Sequence, residues 1–395
     1  MIHWLEERLG VTREVLALSL ARLGDGIGNS ILIVVIPLYV AKLPSLWLDL
    51  PEETLVGFLI GLYGLVNTAT QPLAGAALDR WSRHKASIQG GLALMAASTL
   101  ALLFAERYLH LVILRSLQGV GFALTLPASL AILKSATRRE SRGGAMGFFT
   151  TFRMVGFSIG PLLGGFLQAR YGFAAAFWAG TASIVAAMAC VQLWVEEPEA
   201  APPAATAGRI FDRELLTAEL LALAGATFVM AMGISMMSAV ENEMNLRLHQ
   251  TALGFGVAFS ALTVTRILSQ VPLGRLSDRV GRRPVVIAGL LFMAPATALL
   301  GFAGSTLQLA GVRLFQGLGS AAIAAPAFAL AVDVSRRGGE GRQLSLLTMG
   351  FGLGIAAGPL LAGLLAPIRF ELPFVAGGLL CLAAAWLVRR AVRDA

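Results

Sequence analysis

Gly75-Ala-Ala-Leu-Asp79-Arg80-Trp-Ser-Arg83-His-Lys85 and Gly274-Arg-Leu-Ser-Asp278-Arg279-Val-Gly281-Arg282-Arg283 are two renderings of one segment. Their aspartates stand 199 residues apart in a chain of 395. Arg115-Ser-Leu-Gln118-Gly119-Val-Gly121 returns 198 residues later as Arg313-Leu-Phe-Gln316-Gly317-Leu-Gly319. At the same offset of 198, Gly156-Phe-Ser-Ile-Gly160-Pro161-Leu-Leu-Gly164-Gly165 returns as Gly354-Ile-Ala-Ala-Gly358-Pro359-Leu-Leu-Ala362-Gly363. A period of half the chain means a duplicated unit. In a membrane chain it points to two helical bundles with a ligand site between them.

Composition makes this a membrane chain. It is 56% hydrophobic and 14% charged, with a mean hydropathy of +0.75. A soluble domain carries about 25% charged residues, so this one cannot cover a water-facing surface. Apolar stretches such as Leu55–Leu78, Ala86–Ala105, Leu109–Leu133, Ala174–Val195 and Leu253–Leu276 reach span length, enough for helices to cross about 30 Å of hydrocarbon. The alternating strands of a β-barrel are missing from the pattern. The reading is an all-α membrane protein with twelve spans, near 14–41, 54–78, 86–105, 108–134, 144–169, 172–195, 214–241, 252–277, 284–304, 306–333, 342–366 and 370–391.

The net charge of +8 follows topology and does not point to nucleic acid. With both termini on one side, Lys42, Arg107, Arg170, Arg247 and Arg369 fall on the other side and the remaining loop Lys and Arg residues gather with the termini. That bias places the N- and C-termini in the cytoplasm, with the chain multi-pass in the cell inner (plasma) membrane. Glu6, Glu7, Arg8 and Arg13 precede a first apolar stretch of full span length, so no cleavable signal is expected. The run Glu196-Glu-Pro-Glu-Ala-Ala-Pro-Pro-Ala-Ala-Thr-Ala-Gly208 reads as a tether. It separates an N-terminal bundle (1–195) from a C-terminal bundle (214–395), with 196–213 as cytoplasmic linker. Cys190 and Cys381 stand alone within spans, without metal or disulfide spacing. His3, His84, His110 and His249 all fall in loops or tails, which argues against a histidine relay through the membrane.

Buried charge is the richest chemical signal. Arg22, Asp25, Arg115, Arg153, Arg266 and Arg313 lie inside predicted spans, where each costs at least about 2.5–3.5 kcal/mol. Asp25 lies roughly eleven residues into its span, near mid-membrane at about 1.5 Å per residue. It is the acidic side chain at that depth, a candidate for loading and releasing a proton. Arg22, one turn away, permits the opposing reading of a fixed ion pair. Arg153 and Arg266 leave excess positive charge that would either attract an anion or bond carbonyls between helices. Met230, Met232, Met236 and Met237, with Phe148, Phe149, Phe152 and Phe157, suit either a pliable cavity or ordinary packing. Glu241 and Glu243 read as a solvated rim. Asp79 and Asp278 sit at helix C-termini, where the dipole disfavours a carboxylate and calls for nearby cations. The glycines of 156–165, with Pro161 among them, make a smooth face and a bend, expected at the interface between halves.

With these motifs the chain resembles the major facilitator superfamily, and within it the twelve-span proton-coupled antiporters of the drug-exporter type, over nearly its full length. Gly75–Lys85 is similar to the family's loop after span two, although Ser82 stands where glycine is usual and Gly281 keeps it in the second copy. Leu111 through Gly121 is similar to the span-four arginine motif, and Gly156–Gly165 to the span-five antiporter motif. Arg22-Leu-Gly-Asp25-Gly-Ile-Gly-Asn29 is similar to the aspartate-bearing first span of tetracycline-type antiporters.

The resemblance implies the major facilitator fold, with twelve transmembrane helices in two pseudo-symmetric six-helix bundles cycling by alternating access. It implies a central cavity lined mainly by the first and fourth spans of each half; the candidate residues are Asp25 and Arg115 for proton coupling and Arg22, Asn29, Arg153, Arg266 and Arg313 for the cavity. Gating falls to Gly75, Asp79, Arg80, Arg83, Gly274, Asp278, Arg279, Gly281 and Arg282, and the hinge to Gly156, Gly160, Pro161, Gly164 and Gly165. The expectation is a monomer in the lipid bilayer, with no cofactor besides the coupling proton and no enzyme activity, exporting amphiphilic organic compounds. Export of organic anions, sugars or lipids is the alternative, suggested by the arginine excess. A membrane sensor without transport is the alternative of another class.

Overall fold

In lipid a chain must satisfy its own backbone polar groups, and helices do so within one segment. The computed structural model describes residues 11–43, 50–81, 83–138, 141–197, 217–333 and 340–392, with backbone alone at 79–81, 142–143, 332–333 and 340–345. Among the described residues twelve long helices follow one another. They are α1 (Arg13–Val40), α2 (Glu52–Trp81), α3 (His84–Ala101), α4 (Tyr108–Ala136), α5 (Arg142–Tyr171) and α6 (Phe173–Trp194), then α7 (Ala218–Ser235), α8 (Ala252–Val280), α9 (Arg282–Leu299), α10 (Thr306–Asp333), α11 (Glu340–Leu365) and α12 (Leu372–Ala391). Eleven of them, with adjoining 3-10 turns where present, are long and apolar enough to cross a membrane. The other is α2, whose apolar run is diluted by Asn67, Thr68, Thr70 and Gln71.

Hydroxyls inside these helices return to their own backbone. Ser19 donates to the Val15 carbonyl at 2.7 Å and Ser98 to the Leu94 carbonyl at 2.6 Å, the cheapest way to keep a polar side chain in an apolar layer. Prolines fall inside helices within one residue of matching places in both halves, Pro72 with Pro272, Pro127 with Pro326 and Pro161 with Pro359. Each removes a backbone hydrogen bond that a neighbouring helix must tolerate.

Two compact units form. The first comprises Met1–Val35, Leu43–Leu46 and Val66–Arg209. In it α3 packs on α4 and α6, and the glycines of α5 lie on α1. A Cβ on Gly156 would stand 2.6 Å from the Leu23 carbonyl oxygen, and one on Gly164 2.9 Å from that of Ile31. The α3–α4 contact is similarly close, since a Cβ on Gly91 would stand 2.5 Å from the Gly121 carbonyl oxygen.

The second unit comprises Ile36–Lys42, Trp47–Leu65 and Ile210–Ala395. Here α9 packs on α10 and α12, and α7 on α11. Gly350 of α11 approaches the Ala224 carbonyl oxygen of α7, where a Cβ would stand 2.6 Å away. The first part of α2 lies in this unit against α11, where Thr54 Oγ1 donates to the Gly363 carbonyl at 2.6 Å. Residues repeated in sequence thus make repeated contacts. The span-five glycines form their seam with α1, inside the first unit, and the expected seam between halves is not what their nearest neighbours make. The tether expected at 196–213 lies mostly outside the described residues.

Candidate functional site

In the first unit the buried charges gather around two motifs. Arg22 and Asp25 form an ion pair through Nη1 and Oδ2, with both side chains shielded. Arg22 Nη1 also reaches Thr125 Oγ1 of α4 at 3.4 Å. Its guanidinium lies 5.1 Å from the Phe122 ring centre and 5.4 Å from that of Phe149. Arg153 shares Phe122, at 4.9 Å, and also lies over Phe157 at 5.3 Å. A cation on an aromatic face draws attraction from the ring quadrupole without a counter-charge. The pair is not saturated: Arg22 Nε and Nη2 and Asp25 Oδ1 are buried without hydrogen-bond partners. Asn29 is buried one turn further along α1.

The second motif builds the same device twice. Arg115 Nη1 donates to Gln118 Oε1 at 3.0 Å, and Gln118 Nε2 donates to Thr99 Oγ1 at 3.0 Å. In the second unit Arg313 Nη1 donates to Gln316 Oε1 at 2.6 Å, and Gln316 Nε2 to Thr297 Oγ1 at 3.1 Å. Arg313 also reaches the Ile234 carbonyl at 3.2 Å and Gln316 the Gly233 carbonyl at 2.9 Å. Thr99 and Thr297 are partners that the sequence reading overlooked. Their shared offset from the two glutamines was the available signal. Arg266 lies 5.8 Å from the Phe351 ring centre.

At the loop motifs, Asp278 accepts from Arg282 Nη2 at 3.1 Å across the turn between α8 and α9. Gly281 makes that turn at φ +102, a conformation that disfavours side chains. Arg279 is exposed, as is Arg83 at the head of α3, and both Gly75 and Gly274 have open space around them. The side chains of Asp79 and Arg80 lie outside the described residues, as does Ser82. Around the first copy, the carboxylate of Glu197 accepts from the Lys85 amide at 3.0 Å, at a helix N-terminus that favours negative charge.

Of the two options left open for the span-seven methionines the structure takes packing, and the reading of Glu241 changes. The four methionines of span seven are all buried; Met236 lies beside Gly377 of α12 and Met293 of α9 beside Gly233, so these side chains fill helix contacts. Glu241 is not a solvated rim residue: its side chain is 0% exposed. The cause is local. Past Ser235 the chain tightens to a 3-10 turn, Met236–Ala239, breaks at Val240 and re-enters as a short helix, Glu241–Arg247. That helix buries Glu241 and Met244 and leaves Glu243 and Arg247 to pair nearer the surface at 2.6 Å.

A family model described as the Major Facilitator Superfamily matches residues 18–223 and again 221–395. The chain belongs to this superfamily. Within it, the chain is 27% identical over 313 residues to the multi-drug resistance efflux pump PmrA of Streptococcus pneumoniae, covering 77% of each. It is 27% identical over 323 residues to the human synaptic vesicular amine transporter, covering 80% of this chain and 62% of that protein. A D-xylose–proton symporter of known structure shares the major facilitator fold, with a TM-score of 0.80 at 16% identity over 97% of this chain and 98% of that one. The chain is a multi-span member of the major facilitator superfamily. In that setting the Arg22–Asp25 cluster and the two Arg–Gln–Thr networks are its intramembrane polar centres, the default places for function in a membrane.

Proposed function

We propose that this transporter is a proton-coupled exporter of amphiphilic organic compounds in the plasma membrane, working by alternating access as a monomer with both termini cytoplasmic. One observation carries the proton assignment: Asp25 is buried in a pair that leaves its Oδ1 without a partner. A carboxylate held by one arginine and otherwise unsatisfied gains from a proton, and protonation releases Arg22. The released guanidinium has Phe122 and Phe149 beside it, so the charge does not return to bare hydrocarbon. Arg115, held in its own network with Gln118 in the same unit, is the residue we assign to influence that proton transfer. Loss of a proton restores the Arg22–Asp25 pair and resets the cycle, with the Asp79 and Asp278 loops biasing which side is open.

The substrate class follows from relatives named for multi-drug efflux and for amine transport, and from aromatic rings clustered beside the pair. Arg153 and Arg266 rest on rings, so their charge is engaged, which favours amphiphilic compounds over organic anions. The sorting of Lys and Arg among the loops supports the orientation.

Purified protein in proteoliposomes tests the reading. An imposed proton gradient drives an amphiphilic fluorescent dye across the membrane with the wild type, and dye movement drives protons in return. Asp25→Asn is expected to bind dye yet lose the dye-driven proton flux by at least about tenfold, the scale of losing one essential proton carrier. Full proton flux in Asp25→Asn would refute the assignment. Dye binding without any movement in the wild type would favour a sensor.

A further inference from the structure

Outside the Arg22–Asp25 centre, the described residues hold one more acidic group that is wholly withdrawn from solvent. Glu241 opens the short helix beyond α7; its side chain is 0% exposed and neither carboxylate oxygen has a hydrogen-bond partner. We propose that the Glu241 carboxyl is a proton-binding site of this transporter, separate from Asp25 and carried by the C-terminal half of the chain.

The charges around it support a proton as its ligand. On its own helix, Glu243 is paired with Arg247 at 2.6 Å, and Arg247 also reaches Glu371 ahead of α12 at 3.5 Å. Arg369 holds the other oxygen of Glu371 at 3.0 Å. From the start of α2, Glu52 accepts from the Asn242 side-chain amide, and Glu53 adds a second negative charge beside it. Lys42 past the end of α1 is exposed, as is His249. The 3-10 turn packs on α7 and α11, and the short helix on α8. The charged residues of those helices are Glu219 in the first turn of α7, Arg266, Arg275, Asp278 and Arg279 in the later part of α8, and, by backbone position, Glu340 and Arg342 at the start of α11. Among the described residues no cation forms an ion pair with Glu241. Asn245, one turn on, is the polar side chain that acts on the Glu241 carboxyl, and its own oxygen accepts from Gln250 at 3.0 Å. Burial pushes the Glu241 carboxyl well above its ordinary value of 4.5, with Asn245 offsetting part of the effect.

A carboxylate in such a place has no partner to neutralise it, and a proton is the smallest cation that can. The position also gives protonation a mechanical reach. The next residue, Asn242, donates to the Pro37 carbonyl at the end of α1 at 3.0 Å and to Glu52 at the start of α2. A negative charge on Glu241 would draw water or a cation into the break and move the short helix that holds this tie. The use of the site in coupling rests on the exporter reading above, but its occupancy does not.

The test is an equilibrium titration of the purified full-length protein in detergent, with no substrate and no gradient. Infrared difference spectra across pH follow the carbonyl stretch of protonated carboxylic acids. Glu241→Gln is expected to remove one titrating band that Asp25→Asn and Glu243→Gln both keep. Thermal unfolding gives a second reading. A carboxyl with a raised folded-state value makes stability fall as pH climbs from about 4.5 towards that value, because the folded state holds a proton the unfolded chain has released. Glu241→Gln should flatten that decline. Should this variant fail to fold, Asn245→Leu removes the one offsetting dipole and should shift the band's titration to higher pH. Identical spectra and identical pH slopes for wild type and Glu241→Gln would overturn the proposal. So would a band that vanishes in Glu241→Gln yet never titrates in the wild type, which marks a permanently neutral structural acid. Failure of the dye-export assay with an intact Glu241 titration would instead fault the exporter reading.

Discussion

At Arg22 and Asp25 the energetic question is whether the pair is worth having or merely tolerated. Removing two charges from solvent is unfavourable, and their mutual attraction recovers that only with good geometry and satisfied neighbours. Here the neighbours are incomplete, since three of the pair's polar atoms lack partners. The pair is therefore expected to add little net stability while being hazardous to break. Arg22→Met should destabilise the purified protein by about 3–5 kcal/mol, because it strands a buried carboxylate. Combining it with Asp25→Leu should recover most of that loss, and unfolding in detergent measures the cycle. A double variant as unstable as the single one would show that aromatic stacking on Phe122 and Phe149, and not the charge pair, holds this region. The Arg–Gln–Thr networks make a contrasting case. Gln316 ties three groups together, accepting from Arg313 and donating to Thr297 and to the Gly233 carbonyl near the end of α7. Gln316→Leu leaves Arg313 buried without its strongest acceptor and should cost about 1–3 kcal/mol in the same measurement.

Among the helices, the glycines divide into those that touch and those that do not. Gly156 meets the backbone of α1, whereas Gly147, in the same helix, has nothing within 4 Å. Gly156→Ala is expected to push α1 and α5 apart and lose about 1–3 kcal/mol. Gly147→Ala should gain about 0.5–1 kcal/mol through helix propensity. Thermal unfolding of the two variants gives opposite shifts if helix contact is the glycines' purpose; equal shifts would sink that view. The twelve helices and their pairing by repeat were legible because span length and duplicated small-residue motifs are local features of the sequence. The direction in which the span-five glycines face was not, because a stripe of small residues specifies a close partner without naming it. Glu241 was misread for a related reason. Hydropathy places a glutamate after an apolar run at the surface, and only the break at Val240 followed by the short helix turns it inward.

Across the whole molecule the duplication is faithful in packing and broken in charge. The α5–α1 contact sets Gly156 against Leu23 and Gly160 against Ile27 and Ser30; the α11–α7 contact sets Gly354 against Phe228 and Gly358 against Met232 and Ser235. Each of these α1 residues thus finds its structural mate 205 residues later, whereas the later helices keep an offset of 198. Most of the seven-residue difference lies between the first two helices of each half, because the aspartates ending the second helix already stand 199 apart, so motif alignment alone could not set α1 against α7. On that register Arg22 corresponds to Thr227 and Asp25 to Met230. Thr227 spends its hydroxyl on the Ala224 and Leu347 carbonyls, and Met230 is fully buried. The proposed proton carrier of the first half therefore has an apolar stand-in in the second, where Glu241 sits eleven residues further on, at the start of the short helix beyond α7. If transport needs a carboxyl at one particular helix rather than anywhere in the pseudo-symmetric pair, relocation should fail. Arg22→Thr and Asp25→Met combined with Thr227→Arg and Met230→Asp moves the ion pair to α7 and keeps the same net charge in the bilayer. Proteoliposomes carrying this variant should bind dye but remain as deficient in dye-driven proton flux as Asp25→Asn alone. Restoration of flux by the relocated pair would mean that the halves are interchangeable, and that the asymmetry of charge is incidental to the cycle.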